Sequence, residues 1–162
     1  MILYNFPMSF WKIAEEIGNA RAILNEDKNK KKHYNRGEKQ THVDTIGVLG
    51  ELIAIDYLTN NNIEFEIVDL VTKKPTYDAD IQLNETGIDI KTTKHFNGAH
   101  LLVNELSHIK GKNKVNKYWF IYITDETTAE FYKCDYDEIS KWGCKKFNYT
   151  RAYFNKRKNL KQ

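Results

Sequence analysis

The chain has 162 residues with 25 Lys and Arg, 22 Asp and Glu, and a formal net charge of +3. That length predicts a single domain able to bury its own core without staples. No apolar run approaches the ~20 residues of a membrane span, and the two cysteines, Cys134 and Cys144, fit neither a metal spacing nor a disulfide framework.

Met1 to Pro7 lacks the basic and long apolar regions of a signal peptide, so a cytoplasmic setting is expected. Ser9 to about Glu26 reads as a helix capped by Ser9. Trp11, Ile13, Ala14, Ile17, Ala20 and Leu24 recur at helical spacing. A basic segment follows from Lys28 to Lys39 with six basic residues, Lys30, Lys31, Lys32 and Arg36 among them, against one acid. A second cluster, Arg151 to Gln162, holds five, including Lys156, Arg157 and Lys158, and no acid. Removing these 11 basic residues and one acid leaves 14 basic and 21 acidic residues, a balance of −7. Positive charge is thus concentrated in two segments, as on a surface that meets phosphates.

A second helix is predicted from Asp44, its cap, to Leu58, with Thr59 to Asn62 ending it. It is apolar nearly all round and therefore buried. Gly47 and Gly50 within it cost helix propensity and mark a close approach to another backbone. Glu51 is the lone charge between Asp44 and Asp56. A lone buried carboxylate needs a partner, and a lysine or metal at the hairpin described next would supply one.

Glu64 to Val68 alternates as a strand, and Lys73 to Thr76 breaks the chain. A hairpin follows from Asp78 to Lys91. Ala79, Ile81, Leu83, Ile88 and Ile90 form one face, and Asp78, Asp80, Gln82, Asp89 and Lys91 the other. A loop centred on Glu85 and Thr86 pairs Leu83 with Ile88, Gln82 with Asp89 and Asp80 with Lys91. Asp80 and Asp89 then become diagonal neighbours. Two such carboxylates repel unless a cation lies between them. Lys91 supplies part of that charge, and Mg²⁺, whose natural ligands are carboxylate oxygens, would supply more. Leu101 to Val103 reads as a short strand or a helix start. Tyr118 to Ile123 reads as a central strand with Phe131 to Cys134 beside it, and Asp135 to Trp142 as a short helix. The expected order α-α-β-β-β-β-β-α gives an α/β fold with a mixed sheet. Residues 1–43 carry the first helix and basic segment, 44–142 the core, and 143–162 a basic tail.

Gly47-Val48-Leu49-Gly50-Glu51, then Asp80-Ile81, then Asp89-Ile90-Lys91 followed by Thr92-Thr93, resembles the PD-(D/E)XK nuclease superfamily over roughly Asp44 to Ile123. The resemblance implies a restriction-endonuclease-like mixed β-sheet flanked by α-helices and a Mg²⁺-dependent endonuclease, with Mn²⁺ able to substitute. It implies metal ligation by Asp80, Asp89 and the Ile90 carbonyl, with Glu51 and Asp78 as further candidates. Lys91 would assist water attack. Asp80 is preferred to Asp78 because a hydrophobic residue follows it and nine positions separate it from Asp89. Ala79 stands where the motif has proline, and the third-motif acid is aspartate. DNA is the expected partner, RNA being left open, with contacts from the basic segments, Thr92 and Lys94; a homodimer follows only by analogy. An inactive nucleic-acid-binding module of the same fold is the rival reading. His42, His95 and His100 lie near the site elements, whereas Trp119 and Tyr122 read as core.

Overall fold

The computed structural model describes residues 1–29, 40–67, 70–71, 79–94, 100–147, 150–156 and 159, with the side chains of 25–29, 40, 41 and 100 left aside. The fold is mixed α/β. In chain order it runs β1 (Ile2–Asn5), α1 (Phe10–Asn29), α2 (Gln40–Asn60), β2 (Glu66–Ile67), β3 (Ile81–Leu83), β4 (Thr86–Lys94), β5 (His100–Asn104), α3 (Glu105–Lys110), β6 (Lys117–Ile123), β7 (Thr128–Asp135), α4 (Tyr136–Ile139), β8 (Gly143–Phe147) and β9 (Thr150–Lys156).

The main sheet has the order β1-β7-β6-β4-β3-β2, and a second sheet the order β5-β9-β8. Strands β4 and β6 are parallel, and every other pairing is antiparallel. The parallel pair requires a crossover, and β5 with α3 provides it. Strand β6 lies between β4 and β7 and is buried on both faces, which explains its unbroken apolar run. Trp119, Ile121 and Ile123 pack with Ile81, Ile88 and Ile90 against Val48, Leu49 and Ile53 of α2. On the opposite face Tyr118, Phe120 and Tyr122 pack with Leu101, Val103 and Ile139. Trp119 and Tyr122 are core residues, as the sequence implies.

Several elements differ from expectation. The N-terminal residues form β1, an edge strand that turns Ile2 and Tyr4 towards the core and leaves Leu3 exposed. Four residues are too few to show a period clearly. Helix α2 begins at Gln40, so Asp44 is an interior helical residue, 2% exposed, and not its cap. The segment from 143 is not a tail: β8 and β9 pair from Gly143↔Phe154 to Phe147↔Thr150. Ala152 of β9 is buried and Tyr153 packs against the core cluster of Tyr118 and Ile139, which the flanking Arg151 and Lys156 hide in the sequence. Leu101 to Val103 belongs to a strand and not a helix start, with Asn104 capping α3 through its side chain to the Ser107 amide, 3.0 Å.

Candidate functional site

Asn84 and Glu85 make a two-residue turn between β3 and β4, with Asn84 at φ 50°. Asparagine tolerates that left-handed conformation better than most residues. The tight turn sets the register Ile81↔Ile88, Gln82↔Gly87, Leu83↔Thr86. The expected pairing of Leu83 with Ile88 is therefore displaced by two residues. A two-residue displacement preserves the faces, because side chains alternate with period two. It also changes the geometry. The paired ladder ends at Ile81↔Ile88, and the Asp80 amide donates to the Ile88 carbonyl at 2.8 Å, which holds Asp80 against the segment of β4 that leads into Asp89.

Asp80 continues past the end of β3 and accepts a hydrogen bond from the Ile90 amide, Oδ2 at 2.7 Å. Backbone N–H and C=O of one residue leave a strand on the same side, so the Ile90 carbonyl lies on that edge of β4 too. Lys91 Nζ donates to Asp89 Oδ1. The lysine side chain is 34% exposed and that of Asp89 15%, so the pair is partly open to solvent.

Helix α2 reaches this strand through Gly50. A Cβ there would lie 1.7 Å from Thr92 Oγ1, so only glycine permits the approach. Gly47 has open space, and the close-approach reading holds for Gly50 alone. The next residue is Glu51, 9% exposed. Among the described residues its ion-pair partner is Arg21. Arg21, on α1, donates from Nη1 to Glu51 Oε1 at 3.0 Å and from Nη2 to Oε2, and its Nε donates to the Leu70 carbonyl. The sequence points to a lysine or metal at the hairpin as the partner; the structure adds a bidentate arginine fork from α1, which fits a buried carboxylate.

Glu51 nevertheless belongs to the electrostatics of the hairpin. Burial, followed by the negative charges of Asp89 and Glu51, pushes the Asp80 carboxyl well above the usual aspartate range, against the opposing Lys91 charge and Ile90 amide. Burial pulls Lys91 down, but Asp89 and Asp80, the bond to Asp89, and Glu51 outweigh it and leave its pKa raised. The structure thus brings Glu51, Asp80, Asp89 and Lys91 into one electrostatic cluster and adds Arg21.

The donor set is oxygen, with negative charge in excess around Asp80. That chemistry fits a hard divalent cation, held by Asp80, Asp89 and the Ile90 carbonyl with water completing the shell. Among the described residues no group of three or more His, Cys, Asp or Glu side chains is gathered as a ready-made metal site. Comparison of the chain with family models, with curated proteins and with solved structures gives no match.

The remaining expected contacts fare differently. The Thr92 hydroxyl is buried against Gly50 and does not present itself to a backbone phosphate. Lys94 ends β4 with Nζ 4.9 Å from the centre of the Trp11 ring. Arg151 is exposed on β9 and paired to Glu105, Nε to Oε2 2.9 Å, which offsets its charge. Lys156 is exposed at the end of β9. His42 is half-buried on α2. Lys30, Lys31, Lys32, Arg36, Asp78, His95, Arg157 and Lys158 lie outside the described residues, as does the His100 side chain.

Two neighbours were not anticipated. Arg21 falls on the Ala14–Ile17 stripe of α1, where a charge is out of place, so it was findable as the mate of the equally misplaced Glu51. His108 is 2% exposed beneath the sheet, Nδ1 3.0 Å from the hydroxyl of Tyr118 and Nε2 3.1 Å from Ser140 Oγ. Tyr118 is the register partner of Asp89 on β6. The Tyr136 ring stacks on His108 at 4.0 Å. Nothing in the local sequence separates His108 from an ordinary surface histidine.

Proposed function

We propose that this protein is a Mg²⁺-dependent nuclease of the PD-(D/E)XK kind, hydrolysing phosphodiester bonds in DNA, with a restriction-endonuclease-like core. The observation that carries this reading is Asp80 bonded to the Ile90 amide within electrostatic reach of Asp89, with Lys91 bonded to Asp89. Bound at the two aspartates and the Ile90 carbonyl, Mg²⁺ would polarise a phosphoryl oxygen and lower the pKa of a water.

The chain's own residues set the stage. The Ile90 amide fixes the orientation of Asp80. Lys91, with its pKa raised, stays protonated at neutral pH. Its role is therefore to stabilise negative charge developing on the phosphate, not to remove a proton from water. Glu51, clamped by Arg21, deepens the negative potential that draws a cation to Asp80. Cytoplasmic action and a homodimer that cuts both strands belong to the same proposal.

The test is incubation with plasmid and with single-stranded DNA plus Mg²⁺ or Mn²⁺, with EDTA as control. Wild type cleaves and Lys91→Ala does not. Identical behaviour of the two proteins in every condition overturns the reading.

A nucleic-acid-binding module without cleavage is the second reading. It is favoured by the two ion pairs, Lys91 with Asp89 and Arg21 with Glu51, which already satisfy much of the site's charge. A gel shift without cleavage in any metal would select it.

A further inference from the structure

A cleft of about 400 Å³ opens beyond the ends of β4 and β6, between Met8, Trp11, Lys94, Ile123, Asp125 and Glu126. Lys94 and Ile123 are register partners at the carboxyl ends of the two parallel strands. Ligands in open α/β sheets gather at that end of the strands. The Trp11 ring is fixed by its Nε1, which donates to the Glu126 carbonyl at 2.8 Å. Asp125 is fixed too, its Oδ1 accepting from the Thr127 amide at 2.9 Å. The Lys94 ammonium stands over the ring, and Met8 is 60% exposed at the edge.

These groups select a ligand chemistry. The held indole carries a cation over its face; a flat ring that displaces the ammonium stacks in its place, and the ammonium then offers its charge to a phosphate. The two acids oppose a phosphate backbone running through the cleft, but their oxygens accept from the N–H groups of a base edge. Lys94 lies three residues beyond Lys91 on the same strand, about 10 Å along it, with its side chain on the opposite face. We infer that the Trp11 cleft receives a single unpaired nucleobase, with Lys94 on its flanking phosphate, so that the substrate class is single-stranded or frayed nucleic acid. The inference rests on the nuclease reading for its setting. A base within a duplex has both faces covered by its neighbours, so it must leave the stack to reach Trp11.

The test is a binding measurement in EDTA, where cleavage plays no part. Fluorescence anisotropy compares a short labelled oligo(dA), a blunt duplex of the same length, and the same oligomer with abasic sites. Wild type binds oligo(dA) more tightly than the duplex or the abasic oligomer. Trp11→Ala weakens oligo(dA) binding by roughly 5- to 150-fold, the span for loss of one base–aromatic stack. Trp11→Phe retains most of the affinity, and the abasic oligomer does not distinguish Trp11→Ala from wild type. Should Trp11→Ala fail to fold, Lys94→Gln and the wild-type abasic comparison decide, each with weakened binding expected. Equal binding of oligo(dA) by wild type and Trp11→Ala, or of oligo(dA) and the abasic oligomer by wild type, overturns the inference. Base-dependent binding without cleavage in Mg²⁺ upholds the cleft and removes the nuclease reading. Cleavage without base dependence does the reverse.

Discussion

Arg21 grips both carboxylate oxygens of Glu51 from the neighbouring helix, and the two side chains are only 6% and 12% exposed. Removing one member of a buried pair strands the other charge. Arg21→Met is expected to cost about 3–5 kcal/mol of stability, read from urea midpoints at unchanged slope. The double variant Arg21→Met/Glu51→Leu should regain most of that loss, because two apolar side chains replace the pair without leaving a buried charge. A double variant no more stable than Arg21→Met would show that the pair does not act as a unit.

Burial, Asp89 and Glu51 disfavour the Asp80 carboxylate, so its folded pKa lies above its unfolded one. The folded state then binds the proton more tightly. Its stabilising contribution is complete below the unfolded aspartate value, about 3.9, and is lost as pH rises through the folded value. At neutral pH the charged group is a burden. Asp80→Asn keeps an acceptor for the Ile90 amide and removes the charge. It is expected to raise stability at pH 7 by an amount of order 1 kcal/mol or more while abolishing cleavage. A destabilised Asp80→Asn protein, measured by denaturant titration, would refute the repulsion.

The hairpin faces, the buried α2 and the central position of β6 were legible because each rests on a strong period or an unbroken apolar run. The register was not, because the polar segment Asn84-Glu85-Thr86-Gly87 accommodates a loop of two or of four residues with the same faces. The Asn84 conformation decides it. Glu51 was legible as a charge in need of a partner, whereas Arg21, 30 residues away on another helix, depends on how α1 packs on α2. The second sheet escaped notice because its packed residues Ala152 and Tyr153 lie in a short stretch bounded by Arg151 and Lys156, where no period-two apolar pattern stands out.

His108 is buried between Tyr118, Ser140 and the Tyr136 ring. Burial lowers its pKa, with Asp137 and Asp89 acting in the opposite direction. Here the unfolded state binds the proton more tightly. The stability it supports is complete above the unfolded histidine value, about 6.5, and declines as pH falls from there towards the folded value. Stability measured between pH 7.5 and about 5 should therefore fall, and His108→Gln should flatten this slope. An unchanged slope in His108→Gln would place the titration elsewhere.

If Asp80 and Asp89 hold Mg²⁺ only in the folded chain, the metal must raise the melting temperature by mass action. At a concentration 100-fold above its dissociation constant the gain is about 2.7 kcal/mol. For a chain of this size that corresponds to roughly 5–10 °C. Asp89→Asn should abolish the shift, because it removes one of the two carboxylates. Lys91→Met should keep it and enlarge it, because it releases Asp89 Oδ1 from the ammonium. Its cleavage should still be lost, so metal binding and catalysis separate. A Mg²⁺-dependent shift surviving in Asp89→Asn would place the cation away from the hairpin.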